Sequence, residues 1–195
     1  RDACLAEIRS IDDWKAKRDE YRRQLLEMLG LEPLPERTEL KATITGRVER
    51  DDFIVENLHF QSRPGLYVTA NLYLPKGLTE KAPAILLVCG HSDVGKAEPR
   101  YQAVCVDLVN NGFVVLAMDP PGQGERYQYW DPDTGRRNIV GCTTEHSYAG
   151  LQYIVQGASI ARHFIWDGIR GVDYLQSRPE VDASRIGVTG NSGGG

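Results

Sequence analysis

Only four cysteines occur in the chain, Cys4, Cys89, Cys105 and Cys142, and no two stand in a C-x-x-C pair. Two of them fall within apolar runs, so neither a disulfide framework nor a zinc site is indicated. The sequence also lacks any apolar run approaching the ~20 residues of a membrane span, and it has no signal-peptide core. Basic charge is scarce: 23 Lys and Arg are set against 27 Asp and Glu, a formal charge of -4. That balance argues against nucleic acid or an anionic membrane as a partner, because too few counterions would be released. The one basic concentration, Lys15 to Arg23, alternates with Asp19 and Glu20 at helical spacing and reads as a solvated helix face. A metal site from His91, Asp93, Asp119 and His146 has no ligand spacing to recommend it. What remains, 41% hydrophobic and 26% charged over 195 residues, is the composition of one globular domain or a large part of one. The first residue is arginine rather than methionine, so an N-terminal segment is expected to have been removed, and the compartment is left open, export included.

Two regions are expected, an N-terminal helix with its connector over 1–35 and a larger unit over 36–195. From Ile11 to Leu29 the residues Trp14, Tyr21, Leu25 and Met28 recur at helical spacing, and Gly30 is a stop signal. Three β-like runs follow, Ala42 to Val48, Phe53 to Phe60 and Leu66 to Leu74, which read as antiparallel strands. Ala84 to Cys89 is continuously apolar between Pro83 and Gly90, as in a strand buried on both faces of a parallel sheet. A helix pattern from Arg100 to Asn111 and a second apolar run, Phe113 to Met118, complete a βαβ unit. A polar and aromatic loop from Asp119 to about Ser147 is long enough to read as a cleft-lining insertion. One long helix is predicted from Leu151 to Leu175, ended by Pro179, with a strand from Arg185 to Thr189 after it.

That last strand runs directly into Gly190-Asn191-Ser192-Gly193-Gly194, a G-x-S-x-G signature. At a nucleophile elbow a strand turns sharply into a helix and projects a strained serine, with small residues on either side to let the elements approach. The competing reading is a flexible Gly-rich tail, disfavoured by the strand pattern before it. A serine hydroxyl needs a base to take its proton and preorganised N–H donors for the oxyanion. One donor would be the Gly193 N–H, and the other the His91 N–H in the loop after the first buried strand. All four histidines, His59, His91, His146 and His163, precede the serine, whereas the elbow's usual chain order is Ser, acid, His. The base and its carboxylate are therefore expected beyond residue 195. His91 or His146 would serve only by an unusual geometry, and His59 and His163 read as structural. The turn from Asp119 to Arg126 lies at the carboxyl edge of the sheet, where it either shapes a pocket or only turns the chain. Gln123, Arg126 and Trp130 are the candidate substrate contacts there. Tyr127, Tyr129 and Trp130 with Arg136 and Arg137 suit a sugar or aromatic ester, or else pack beneath the loop.

The elbow, the Gly122-Gln123-Gly124 turn and the stretch from Trp166-Asp167-Gly168 through Asp173-Tyr174-Leu175 to Ser177-Arg178-Pro179-Glu180-Val181-Asp182 and Arg185-Ile186-Gly187 resemble acetyl xylan esterase and cephalosporin deacetylase-like α/β-hydrolases. The likeness runs from about Tyr67 to the end. It implies an α/β-hydrolase fold, with a mostly parallel central sheet and antiparallel N-terminal strands, truncated after the nucleophile strand. It further implies hydrolysis of a carboxylic ester, commonly deacetylation of a carbohydrate, by a Ser-His-Asp triad without cofactor, with Ser192 as nucleophile and His91 and Gly193 as oxyanion donors. Two positions depart from the pattern. Cys89-Gly90 stands where His-Gly is common, and Pro121-Gly122-Gln123 where Arg-Gly-Gln is common, which leaves the substrate open. A central elbow strand left at a sheet edge would expose apolar surface, so the chain is expected to need a partner, the remainder of the hydrolase domain on the same or a second chain. Alternatives are a prolyl-oligopeptidase-type peptidase, disfavoured by the short N-terminal region, and an inactive binding module.

Overall fold

Residues 5–194 are described by a computed structural model, so Cys4 and Gly195 lie outside the described residues. The first element is helix α1 (Ile11–Met28), capped by Ser10, whose side chain accepts the Asp13 N–H. None of its residues is buried, and Ile11, Leu25 and Met28 stand exposed. Leu31, just after it, is wholly buried.

Six strands form one sheet. β1 (Thr43–Glu49), β2 (Phe53–Arg63) and β3 (Leu66–Pro75) are an antiparallel meander. β4 (Ala82–Val88) is joined by α2 (Pro99–Asn110) to β5 (Val114–Met118), its parallel neighbour. β8 (Val181–Gly190) pairs in parallel with the other side of β4, so the order is β1-β2-β3-β5-β4-β8. The sheet is thus parallel over β5, β4 and β8 and antiparallel over the first three strands. β5 is buried at every position, which its unbroken apolar sequence requires.

Alternation along the strands sends side chains to two cores. Phe60, Val68, Ala70, Leu72, Leu86, Leu116 and Met118 pack with Tyr174 and Leu175 under α4 (Ala161–Ser177). Tyr73, Leu87, Cys89, Val115 and Ala117 pack with Tyr101, Cys105 and Val109 under α2. Phe60 stacks on Tyr174 with centroids 5.7 Å apart, and the buried Trp166 indole donates to the Ser62 carbonyl at 2.8 Å. Fully burying an apolar side chain of Phe60's size is worth about 1.5–3 kcal/mol, so this one face anchors α4 firmly to the sheet.

The single helix expected from Leu151 to Leu175 is instead two. α3 (Cys142–Ile154) begins inside the segment expected to be loop, and Gly157, at φ +69, breaks the chain before α4. The Ala158 N–H returns to the Tyr153 carbonyl at 2.9 Å and closes the helix end, a turn that only a left-handed residue allows cheaply. The loop between β5 and α3 holds a two-residue ribbon of β6 (Trp130–Asp131) and β7 (Arg136–Arg137). β8 is longer than the expected Arg185 to Thr189. Among the described residues it is paired on one side only, and Val188 is 62% exposed.

Candidate active site

At the carboxyl end of β8 the chain reverses through Asn191 into a short 3-10 turn, Ser192–Gly194, closed by the Gly194 N–H on the Asn191 carbonyl at 2.9 Å. Ser192 is exposed and held at φ +55. A left-handed backbone at a non-glycine residue costs about 1–3 kcal/mol and persists only where its surroundings enforce it. The enforcement is steric. A methyl on Gly190 would lie 1.9 Å from the Gly194 carbonyl oxygen, and one on Gly194 would lie 2.1 Å from the Val88 carbonyl oxygen.

The loop after β4, Cys89-Gly90-His91-Ser92, closes on the elbow from the other side. A methyl on Gly90 would stand 2.4 Å from the Asn191 carbonyl oxygen and 3.0 Å from Ser192 Cβ. The His91 imidazole lies over Gly193, where a methyl would meet its Cε1 at 2.7 Å and Nδ1 at 2.8 Å. The His91 ring thus packs on the residue that follows Ser192, and neither the His91 nor the Gly193 N–H donates to a described backbone or side chain. Cys89 beneath them is buried, and burial pushes its thiol up to about 12, so it is no nucleophile at neutral pH.

The turn after β5 fastens this loop. Gln123, 1% exposed, donates from Nε2 to the Gly90 carbonyl at 3.0 Å, and the Gly124 N–H donates to the Asp93 carbonyl at 3.0 Å. Asp119, also 1% exposed, accepts from the Thr69 hydroxyl, the Lys96 N–H and the Lys96 ammonium. Arg126 Nη1 donates to the Asp119 carbonyl at 2.9 Å and to Asp167 Oδ2 on α4 at 2.8 Å, with both side chains buried. Gln123 and Arg126 therefore hold backbone and carboxylate partners under the site. Trp130 differs: it is 49% exposed and stacked on Tyr127 at 6.3 Å between centroids, while the Arg137 guanidinium covers Tyr127 at 3.9 Å. The exposed Trp130 ring, backed by the half-buried Tyr127, offers a flat apolar surface.

His146 on α3 stands beside His91, with His91 Nε2 3.2 Å from His146 Nδ1 and His146 Nε2 2.6 Å from the Pro121 carbonyl. Sequence reasoning reached both rings but not their contact, which joins residues 55 apart. His163 is half-buried against Tyr153, and burial is the main cause that disfavours its charged form. His59 packs edge-on against Tyr67 on the far strands. Among the described residues no histidine or carboxylate bonds the Ser192 hydroxyl, and no group of three or more His, Cys, Asp or Glu could hold a metal ion. Among the described residues no helix is long and apolar enough to cross a membrane. A cavity of about 340 Å³ opens between α4 and β8, lined by Leu86, Val88, Phe164, Ile169 and Val188 and reaching Gly193.

A serine turn after the last strand at the carboxyl edge of a mixed sheet, beside a loop from the neighbouring parallel strand, is the arrangement of an α/β-hydrolase fold. The chain belongs to the acetyl xylan esterase (AXE1) family, whose model matches residues 31–195. It is 28% identical to the YtaP protein of Bacillus subtilis (strain 168) over 188 residues, covering 91% of this chain and 57% of that protein. Among solved structures it is similar to the methylesterase BT1017, with a TM-score of 0.73 at 26% identity, over 98% of this chain and 39% of that one. It also resembles acetyl xylan esterase 1 from Thermoanaerobacterium sp. JW/SL YS485 at TM-score 0.62 and 24% identity, over 91% of this chain and 51% of that one. The chain spans about half the length of the relatives it matches.

Proposed function

We infer that Ser192 is the nucleophile of a carboxylic ester hydrolase that deacylates a carbohydrate or a similar small ester. The observation that carries this reading is the exposed serine at φ +55, followed by Gly193, on which the His91 ring packs, with the N–H groups of both residues lacking a described partner. In the reaction Ser192 Oγ attacks the ester carbonyl carbon and loses its proton to a base. The carbonyl oxygen becomes an oxyanion that takes hydrogen bonds from the Gly193 and His91 N–H groups. The alcohol leaves with a proton from the base, and water then releases the acid from the acyl-serine. The base histidine and its carboxylate are assigned to residues beyond 195, which fits the absence of any described histidine on the Ser192 hydroxyl. Trp130 is the substrate platform, and Gln123 and Arg126 act on the substrate indirectly, through the Gly90 carbonyl and Asp167.

An acetyl group as the acyl part is supported by the family, that of acetyl xylan esterase. The test is steady-state release of acetate from an acetylated oligosaccharide by the full-length protein and its Ser192→Ala variant. Turnover by the first and its loss of at least ~10³-fold in the second is the expected result. No turnover by the folded wild-type protein on any short-chain ester would replace this reading with that of a binding module.

A further inference from the structure

His146 lies outside the elbow and its two donors, half-buried at their margin. A backbone carbonyl only accepts, so His146 Nε2, 2.6 Å from the Pro121 oxygen, carries a hydrogen. In a neutral ring Nδ1 is then an acceptor, and His91 Nε2, 3.2 Å away, donates to it. The hydrogens run in one direction, from His91 to His146 to the Pro121 carbonyl. At its other edge the His91 ring rests on Gly193, the residue that carries the second oxyanion donor.

We propose that His146 is a positioning residue for the oxyanion hole: by accepting the His91 Nε2 hydrogen it fixes the His91 ring against Gly193, and with it the spacing of the His91 and Gly193 N–H groups. This rests on the reading of Ser192 as nucleophile. The packing around His146 is suited to the neutral ring. From the loop after β4 it faces His91, and from α4 it faces the edge-on Phe164 ring at 5.0 Å, which carries no charge. The turn after β5 offers Pro121 and Gly122, and its own helix offers Glu145, whose carboxylate takes the Gln128 N–H and lies near Arg137. Burial is the main influence holding His146 below its ordinary pKa, and His91 acts the same way, while the Pro121 bond and Glu145 oppose them. Once protonated, His146 has two donors and no acceptor, and the His91 hydrogen loses its partner.

The test uses the full-length protein, with His146→Leu and His146→Asn beside wild type and Ser192→Ala. Asn keeps an acceptor near the Nδ1 position, and Leu keeps only bulk. The expected result is a kcat about tenfold or more lower for Leu with KM within about twofold, and partial recovery for Asn, because one misplaced donor is felt in the transition state and not in substrate binding. The acid limb of the wild-type kcat profile should be displaced in the Asn variant. Nitrogen-15 spectra of histidine-labelled wild type should show Nε2–H tautomers on both rings near neutral pH. That last readout needs no variant to fold. An Nδ1–H tautomer on either ring, or a Leu variant with kcat within about twofold of wild type, overturns the proposal. A wild-type protein no more active than Ser192→Ala would instead remove the nucleophile reading beneath it.

Discussion

A methyl group at Gly90 is the smallest change that should separate the loop after β4, which carries the proposed oxyanion donor, from the elbow. Gly90 is outside the left-handed region, so Gly90→Ala acts by volume rather than by backbone strain. Its Cβ would stand 2.4 Å from the Asn191 carbonyl oxygen, whereas ordinary contact begins at 3.4 Å, so the two backbones must part by 3.4 − 2.4 = 1.0 Å. The Tyr101 hydroxyl, at 2.7 Å, blocks relief in a second direction. Oxyanion donors work within about 2.7–3.1 Å, and the loss of one costs roughly 10²–10³ in kcat, or about 2.7–4 kcal/mol. On the proposed reading of the His91 N–H as an oxyanion donor, a shift of 1.0 Å carries it beyond that range. The expected outcome is therefore a kcat lower by ~10² with KM changed less than about threefold, because the donor meets charge that develops only in the transition state. Overpacking should cost a further ~1–3 kcal/mol of stability, a drop of about 2–4 °C in Tm for each kcal/mol, so the variant remains folded at room temperature. The assay is acetate release at saturating substrate, beside a melt by circular dichroism. A folded Gly90→Ala protein with kcat within about threefold of wild type would refute the steric argument and the role of the His91 N–H.

Asp167→Ala leaves the Arg126 guanidinium charged and buried, so it should lose ~3–5 kcal/mol in urea unfolding, and a loss below about 1 kcal/mol would contradict the burial of that pair. His163 favours its neutral form in the fold because burial lowers its pKa below 6.5, so the unfolded chain binds the proton more readily. Its contribution is present above pH 6.5 and is lost as pH falls through that value toward the lower native one. His163→Phe should flatten that part of the unfolding profile, and an unchanged slope would count against it. Trp130→Ala should raise KM for an oligosaccharide ester about five- to tenfold, the weight of a lost stacking face, and leave kcat for a small aryl acetate alone; equal effects on both substrates would argue against a platform.

The strands and the elbow were legible because their signals are local. β4 and β5 are unbroken apolar runs, β3 alternates, and the G-x-S-x-G glycines sit where backbone meets backbone. The boundary between α3 and α4 was not legible, because the apolar spacing from Leu151 to Leu175 continues across a break that Gly157 makes by its own dihedral angle. The start of α3 gave no signal either, since Gly141 caps nothing with a side chain and the Cys142 N–H is held by Asp93 from 49 residues away. Distance along the chain also hid the partners of the polar turn. Gly90, 33 residues from Gln123, and Asp167, 41 residues from Arg126, hold one bond to each side chain, while Arg126 Nη2 has no described partner and Arg126 lines the cavity that reaches Gly193. The same separation concealed the His91–His146 contact.

The central claim, that Ser192 carries the acyl group, is tested most directly by treating the full-length protein with a fluorophosphonate and mapping the adduct by peptide mass spectrometry. The account predicts one equivalent of label on the peptide containing Gly190 to Gly194, and none on Ser192→Ala. Label on another residue, or none on folded and active wild-type protein, would contradict it.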